Sequence, residues 1–289
     1  MRFIKKRVEQ MLVLLHNNYY EKGPGKVLNN FKSGLFSMGI LYKENPDTVE
    51  KDDYVIILQW SDLAGRISRL ANKERLIIGP NVCKLPNENE FIMSGEYKSL
   101  IVPSEWVKIL YSKWINTDKI NVWGSGIETD KFTDTSNNTK SIDFLIYFKN
   151  RGYQELTRIE NALTLKGYSY TTLIYGSYTE NQLLIETGRC KFCIVIVNTE
   201  SQGIAIQEIM STNTPLIVMD KTYWDEMPDV DATSVPYWSD ECGIKIIDID
   251  ELDSAIEKIN IGVSPRNFIV ENLNLLKSAS DLLKIVGYI

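Results

Sequence analysis

Short runs of apolar, β-branched residues alternate with longer amphipathic stretches along the chain. This alternation is typical of βαβ units built around a mostly parallel sheet. The strands predicted in the N-terminal half cover residues 10–15, 54–58, 75–78, 99–102 and 119–122. Helical patterns lie at 26–38 and 63–70, and a further helix opens after Ser104, whose hydroxyl is expected to cap it.

The composition changes at residues 133–139, which read TDTSNNT and carry no apolar anchor, as a solvated linker would. A second α/β series follows, with strands predicted at 142–148, 170–175, 192–197, 215–219 and 243–247, and a last amphipathic segment at 267–286. We therefore expect an α/β protein of two Rossmann-like domains, residues 1–135 and 136–289. Because ligands bind at the carboxyl ends of parallel strands, two such domains facing each other would form a binding cleft.

Charge and hydropathy narrow the classes of function. The 289 residues include 32 Lys and Arg against 38 Asp and Glu, a formal charge of -6 that argues against nucleic-acid binding. Apolar runs of about five residues are far shorter than the roughly 20 that a membrane helix needs, and Lys5-Lys6-Arg7 opens no signal peptide. Four cysteines form no disulfide framework. A cytoplasmic protein is expected, with peripheral membrane contact left open.

Candidate chemistry concentrates where the strand at 192–197 ends. Glu200 follows that strand, Gly203 lies in the next loop, and Glu208 falls in the first turns of the following helix. Free amides at a helix N-terminus favour a phosphate, whereas two carboxylates suit the hydroxyls of a sugar and a ribose. A nucleotide sugar carries both parts.

This segment resembles the E-x7-E segment of retaining glycosyltransferases with the GT-B fold, and most closely the family-four group. Seven residues separate Glu200 from Glu208, and Pro215 opens the next strand, although Ser201-Gln202 replaces the family's Gly-Phe. The resemblance implies that Glu208 holds the donor ribose and that Glu200 contacts the transferred sugar. It also implies backbone donors to the distal phosphate from Ser201, Gln202, Gly203 and Ile204.

Two further stretches of the second domain resemble the same family. Lys149-Asn-Arg151-Gly152 is similar to the loop whose cations hold the donor diphosphate, in a shortened form. Fixed cations there favour the transition state, because the leaving diphosphate gains negative charge as the glycosidic bond breaks. Gly176 and Ser177 follow a strand where the family usually contacts the nucleotide base.

In the first domain, Gly23 and Gly25 resemble the family's glycine-rich loop, which lets the backbone approach the diphosphate. A plain helix-start turn is the alternative. Many family members carry a histidine where this chain has Gln59 or Trp60, and the single histidine is His16, at the end of the first strand. His16 could donate to a sugar hydroxyl or phosphate, or be a neutral hydrogen-bonded residue.

The resemblance implies a glycosyltransferase of glycan biosynthesis that moves a sugar from a nucleotide-diphosphate sugar to a glycan or other hydroxyl acceptor, with retention. Lys149, Arg151, Glu200 and His16 are its candidate catalytic residues. No cofactor or metal is expected, because the two D-x-D sequences, at 229–231 and 248–250, fall in a proline-rich loop and at a helix cap. A GT-B epimerase and a non-catalytic nucleotide-sugar or glycan-binding module remain alternatives. The resemblance also implies that residues 1–135 bind the acceptor and that residues 136–289 bind the nucleotide-sugar donor, with the last helix packing back on the first domain.

Overall fold

A computed structural model describes residues 10–17, 22–259 and 263–289. The packing of the backbone divides the chain into two compact units. Unit 1 comprises Met1–Gly126 with Leu276–Ile289, and unit 2 comprises Ile127–Leu275. Each unit contains a parallel sheet with helices, so the predicted α/β class with two Rossmann-like domains is confirmed. None of the helices within the described ranges has the length and apolar character needed to cross a membrane.

Unit 1 is built on a six-stranded sheet in the order β2-β1-β3-β4-β5-β6, with every pair parallel. Its strands are β1 (Leu12–Leu15), β2 (Tyr42–Glu44), β3 (Tyr54–Gln59), β4 (Leu76–Asn81), β5 (Ser99–Val102) and β6 (Ile120–Val122). Its helices are α1 (Lys22–Ser37), α2 (Asp62–Leu70), α3 (Glu90–Ser94) and α4 (Glu105–Tyr111). All residues of β1 and β5 are buried, as continuous apolar runs covered on both faces require.

Unit 2 carries a five-stranded parallel sheet in the order β13-β10-β9-β7-β8. Its strands are β7 (Ile142–Lys149), β8 (Tyr170–Ile174), β9 (Cys190–Val197), β10 (Leu216–Met219) and β13 (Gly243–Ile246), with an antiparallel hairpin of β11 (Tyr223–Trp224) and β12 (Met227–Asp231). Its helices are α5 (Tyr153–Leu165), α6 (Glu180–Arg189), α7 (Ile204–Ser211), α8 (Leu252–Lys258) and α9 (Pro265–Asn272).

The last amphipathic segment is two helices, and the prediction of one continuous segment at 267–286 is wrong. A break at Leu273 and Asn274 separates α9 from α10 (Leu275–Val286). The carbonyl of Leu273 accepts a hydrogen bond of 2.7 Å from the amide of Ile127, a donor from a distant part of the chain. Beyond the break, α10 packs within unit 1, where Trp123 Nε1 donates to Ser278 O at 2.8 Å.

Other parts of the chain also differ from the sequence-based expectations. The strand β2 was not predicted, because its three residues are at most half-buried and give no apolar run. Helix α1 begins at Lys22, four residues before the predicted start. Ser104 occupies the N-cap position of α4, yet its side chain makes no capping hydrogen bond, so the capping role predicted from the sequence is wrong. The stretch at 133–139 is exposed except at Thr135, which is anchored in unit 2 because its hydroxyl donates to Thr212 O at 2.9 Å.

Candidate functional site

The carboxyl ends of β7 and β9 bring two of the predicted site residues together. Lys149 ends β7 opposite Val197, the last residue of β9, and the chain then turns to place Glu200 beside it. The Lys149 Nζ lies 2.6 Å from Glu200 Oε1. Both side chains are largely buried, with 19% and 14% of their surface exposed. A cation and a carboxylate that are distant in sequence therefore form one site in unit 2.

Tyr175 is a member of this site that the sequence did not single out. It follows β8, the neighbour of β7, and its ring centroid lies 4.4 Å from Lys149 Nζ. At this distance the ring face attracts the ammonium group. The sequence signal that could have identified Tyr175 is its position directly after a predicted strand. The ends of parallel neighbouring strands lie at the same edge of the sheet, so Tyr175 and Lys149 come close together.

The glycine predicted between the two glutamates immediately precedes α7. Gly203 has a φ of +76° and occupies the position before the helix, which has no side-chain cap. The loop before it is held by Gln207 Nε2, which donates to the carbonyl of buried Gln202 at 2.7 Å. Ser201 is exposed, and Ile204 is the first helical residue. Uncapped amides at this point suit an anion.

Glu208 lies on α7 and is buried. Burial raises the pKa of Tyr178 to about 12, and the negative charge of Glu208 acts in the same direction. The hydroxyl of Tyr178 lies 3.4 Å from that of Tyr147, and burial together with this neighbour and Glu200 raises the pKa of Tyr147. The two tyrosine hydroxyls are therefore adjacent, and the negative charge of one glutamate acts on each of them.

Gly176 and Ser177 form an exposed turn after β8. Gly176 has a φ of +85°, and the amide of Ser177 donates to Ile174 O at 3.0 Å. This turn leads directly to Tyr178, so it belongs to the same edge of unit 2 as Lys149.

Arg151 is engaged by other groups of unit 2. Its guanidinium forms an ion pair with Glu155, one turn along α5. It also donates to the carbonyls of Val197 at 3.1 Å and Met219 at 3.4 Å. Arg151 thus links the ends of β9 and β10 to the start of α5, a structural role that the resemblance did not indicate.

The segment between β10 and β13 holds the loop that carries Glu200. The amide of Glu200 donates to Thr233 O at 3.0 Å, and the hydroxyl of Ser234 donates to Val197 O at 3.0 Å. Asn198 Nδ2 donates to Asp225 at 2.7 Å. The sequence predicted only loops between β10 and β13, because the short strands β11 and β12 contain no apolar run.

In unit 1, His16 is buried at the carboxyl end of β1. Its Nε2 lies 3.1 Å from Glu44 Oε2, which also accepts from Lys32 Nζ at 2.8 Å, and its Nδ1 lies 3.5 Å from Asn45 Nδ2. Burial lowers the pKa of His16, against the opposing effect of Glu44. Both ring nitrogens thus face protein groups, as the hydrogen-bonded alternative expects, and a role of His16 toward a ligand stays a prediction.

The glycine-rich stretch of unit 1 is helical. Gly23 and Gly25 lie in the first turn of α1, so the expected loop is the start of a helix. Gly25 is buried, and a Cβ at Gly23 would meet no atom of the described residues within 4 Å.

Within residues 10–17, 22–259 and 263–289, no three His, Cys, Asp or Glu side chains form a group that could hold a metal ion. Asp229 and Asp231 lie on β12, and Asp248 Oδ1 accepts from the amide of Asp250 at 3.0 Å as a helix cap.

Comparison with known proteins identifies the fold that carries these residues. No protein-family model matches the sequence, and no curated protein is significantly similar to it. The structure is similar to sucrose-phosphate synthase from Thermosynechococcus elongatus, with a TM-score of 0.60 and 12% identity over 97% of this chain and 99% of the synthase. It is also similar to the apo form of the lipopolysaccharide outer core galactosyltransferase WaaB, with a TM-score of 0.59 and 10% identity over 96% of this chain and 99% of WaaB. The chain has the GT-B fold.

A third structure with the GT-B fold contains ligands. Anabaena HepE in complex with UDP and glucose gives a TM-score of 0.52 with 9% identity, over 97% of this chain and all of HepE. At such low sequence identities the similarity establishes only the fold of both units. The chemistry depends on the side chains of this chain.

Proposed function

We propose that this protein is a retaining glycosyltransferase that moves a sugar from a nucleotide-diphosphate sugar to an acceptor hydroxyl without a metal ion. One observation carries the proposal: Lys149 and Glu200 pair at 2.6 Å at the carboxyl edge of the second sheet of a GT-B fold. That edge is where open parallel sheets bind ligands. The ligated HepE structure supports a nucleoside diphosphate as the common part of the donor.

Lys149 is assigned to the diphosphate. In the structure its charge is balanced by Glu200, and a bound diphosphate would take over part of that role. Release from Lys149 would let Glu200 accept hydrogen bonds from hydroxyls of the transferred sugar. A cation fixed beside the breaking bond stabilises the charge that develops on the leaving phosphate.

Arg151 is the second proposed diphosphate ligand. Its guanidinium already donates to Glu155 and two carbonyls, so the diphosphate would have to replace Glu155. The pair with Glu155 is the exchangeable contact, since that carboxylate is 36% exposed. The two carbonyl contacts can stay in place.

The remaining predicted residues receive the roles implied by the resemblance. Glu208 is assigned to the donor ribose, Gly176 and Ser177 to the base, and the Ser201–Ile204 amides to the distal phosphate. In unit 1, Gly23 and Gly25 are assigned to backbone approach to the diphosphate. His16 is assigned to the sugar through the small movement that would free one ring nitrogen from Glu44 or Asn45.

The proposed reaction balances without an added base. The bond from the anomeric carbon to the phosphate oxygen breaks, and the acceptor oxygen forms the new bond on the same face of the sugar. The acceptor proton passes to the leaving phosphate, which becomes a free nucleoside diphosphate. Lys149 and the α7 amides supply the stabilisation that a divalent cation would otherwise provide.

The test is calorimetric titration with UDP, GDP and ADP, followed by turnover assays with the corresponding nucleotide sugars. Glu208→Ala and Arg151→Ala are expected to weaken binding at least tenfold. The matched controls, Glu257→Ala and Arg158→Ala, change exposed residues of unit 2 and should leave binding unchanged. The proposal fails if none of the nucleotides or nucleotide sugars binds the unmodified protein.

A non-catalytic nucleotide-sugar or glycan-binding module is the second candidate. The observation that favours it is His16, whose two ring nitrogens are both directed at protein groups. Donor binding with no transfer or hydrolysis would support this candidate. Product formed without any acceptor would instead indicate the epimerase.

A further inference from the structure

Lys245 is a cation of unit 2 to which the proposed function gives no role. It lies on β13, and its Nζ is 3.2 Å from Oδ2 of Asp220, which directly follows β10. Both side chains are mostly buried. The carboxyl edge of the second sheet therefore holds a further sheltered ion pair, besides that of Lys149 and Glu200.

Both members of this ion pair hold the segment 233–235, which follows the β11–β12 hairpin. Lys245 Nζ donates to Thr233 Oγ1 at 2.6 Å and to the carbonyl two residues further on at 3.1 Å. Asp220 Oδ1 accepts from the Thr233 hydroxyl at 2.8 Å and from the amide of Ser234 at 2.7 Å. Each residue of the segment is therefore bonded to the ion pair.

The segment 233–235 in turn holds the loop that carries Glu200. The amide of Glu200 donates to Thr233 O at 3.0 Å. The hydroxyl of Ser234, which is fully buried, donates at 3.0 Å to the carbonyl of Val197, where β9 ends. The ion pair is thus connected to the backbone of Glu200 through a single residue, Thr233.

The charge of Lys245 keeps this connection in place. A sheltered carboxylate without a cation is strongly disfavoured, so Asp220 would turn towards water if residue 245 were neutral. The Thr233 hydroxyl and the Ser234 amide would then lose their acceptor. The carbonyl of Thr233 would no longer be fixed, and neither would the amide of Glu200 that it binds.

We propose that Lys245 is a positioning residue for Glu200. Acting through Asp220 and Thr233, it fixes the backbone of the glutamate and so the distance from its carboxylate to Lys149. This inference rests on the proposed function, in which Glu200 contacts the transferred sugar. A nucleoside diphosphate lacks that sugar, so Lys245 should affect the reaction of the nucleotide sugar and leave the binding of the nucleoside diphosphate unchanged.

The first experiment measures hydrogen exchange of the Glu200 amide by NMR in the full chain. Lys245→Met should speed it about tenfold or more relative to the amide of Ile194, a buried residue of β9 that reports global opening. Lys245→Arg retains a cation with several donors and should stay within about threefold of the unmodified protein. Lys166→Met is the matched control, because it also breaks a Lys–Asp pair of unit 2, that with Asp253 at 2.7 Å. It should leave the exchange rate of Glu200 unchanged.

The second experiment is a double-mutant cycle on the turnover of UDP-, GDP- and ADP-glucose. Lys245→Met should lower kcat about tenfold, because misplacing a group that contacts the reacting substrate by about 1 Å is already costly. The Kd of UDP, GDP or ADP should stay within about twofold, since Lys245 contacts no group assigned to the nucleotide. In a Glu200→Ala background the same substitution should change kcat by less than about twofold, because a positioning residue acts only through the residue it holds.

The inference is overturned if Glu200 and Ile194 lose protection equally in Lys245→Met, which would mean a general loss of stability. It is also overturned if Lys245→Met leaves kcat unchanged, or lowers it by the same factor with and without Glu200. Faster exchange at Glu200 alone, together with a loss of kcat that disappears in the Glu200→Ala background, supports it.

Hydrogen exchange requires no substrate, so the two proposals fail separately. If nucleotide sugars react and Lys245→Met changes neither kcat nor the exchange of Glu200, the positioning role alone fails. If no nucleotide or nucleotide sugar binds while Lys245→Met still frees the Glu200 amide, the proposed transferase function fails and Lys245 holds Glu200 without that reaction.

Discussion

Lys149 Nζ lies 2.6 Å from Glu200 Oε1 at the carboxyl ends of β7 and β9, and a second ion pair joins the same two strands at their amino ends. There, Lys191 Nζ lies 2.7 Å from Asp143 Oδ1. The lysine is 19% exposed in the first pair and 50% exposed in the second. The Lys149–Glu200 pair is thus sheltered at the carboxyl edge of the sheet, and the Lys191–Asp143 pair is solvated at the amino edge.

Replacement of Lys149 tests the sheltered pair. Lys149→Met should lower kcat/KM for the nucleotide sugar by about 100- to 1,000-fold, which is typical of losing one fixed group that stabilises transition-state charge. Lys191→Met changes the same residue type on β9 at the other edge and should leave kcat/KM within about twofold, because exposed pairs contribute little. Steady-state kinetics give kcat/KM for the unmodified protein and for both variants. Equal values would remove Lys149 from the proposed site.

Arg151→Gln should destabilise unit 2. The variant removes the charged donor to the carbonyl of Met219 and one of the two donors to that of Val197, which also accepts from Ser234 Oγ, at a cost of about 1–3 kcal/mol. The pair with Glu155 adds at most about 1 kcal/mol, because that carboxylate is 36% exposed. Urea unfolding provides the measurement, with Arg158→Gln on the exposed face of α5 as the control. A midpoint equal to that of the control would show that the carbonyl contacts contribute nothing.

Stability should rise with pH where His16 titrates. Burial lowers the pKa of His16 below its ordinary value of 6.5, despite the adjacent Glu44. Below pH 6.5 the unfolded chain therefore binds a proton that the folded chain resists, and stability falls as the pH drops from 7 towards the folded pKa. Glu44, whose pKa lies below 4.5 through Lys32 and His16 despite its burial, titrates outside this window.

The measurement is the urea midpoint of the protein and of His16→Gln between pH 5 and 7.5. The difference between their curves isolates the histidine from other titrating groups. A variant curve that runs parallel to that of the unmodified protein would contradict the lowered pKa.

Gly23→Ala should raise the stability of the protein and weaken its binding of the donor. A Cβ at Gly23 in α1 meets no atom of the described residues within 4 Å, so alanine should stabilise the helix by about 0.4–1 kcal/mol. If the backbone here approaches the diphosphate, nucleotide affinity should nevertheless fall several-fold. Thermal unfolding and calorimetry measure the two effects, and unchanged affinity would remove Gly23 from the donor site.

Gly243→Ala is the contrasting substitution, because Gly243 has a φ of +140° and a Cβ there would overlap the backbone of Leu216. It should lower the melting temperature markedly. A stable Gly243→Ala variant would show that β10 and β13 can separate to admit the extra atom.

The sequence predicted much of the fold because parallel strands buried on both faces leave uninterrupted apolar runs. The runs at 54–58, 100–102 and 192–197, within β3, β5 and β9, are examples. Short edge elements such as β2 and the β11–β12 hairpin carry no such run and were not predicted. The helix break at Leu273 depends on a hydrogen bond from Ile127, which no local pattern encodes.

The sequence by itself determined the α/β class, the two Rossmann-like sheets and the position of Glu200 at the end of a strand, because each depends on local periodicity. Only the tertiary structure decided the partners of the charged groups. It paired Lys149 with Glu200, engaged Arg151 with Glu155 and directed both nitrogens of His16 at protein groups. Those partners come from strand order and register, which bring residues together across long stretches of sequence.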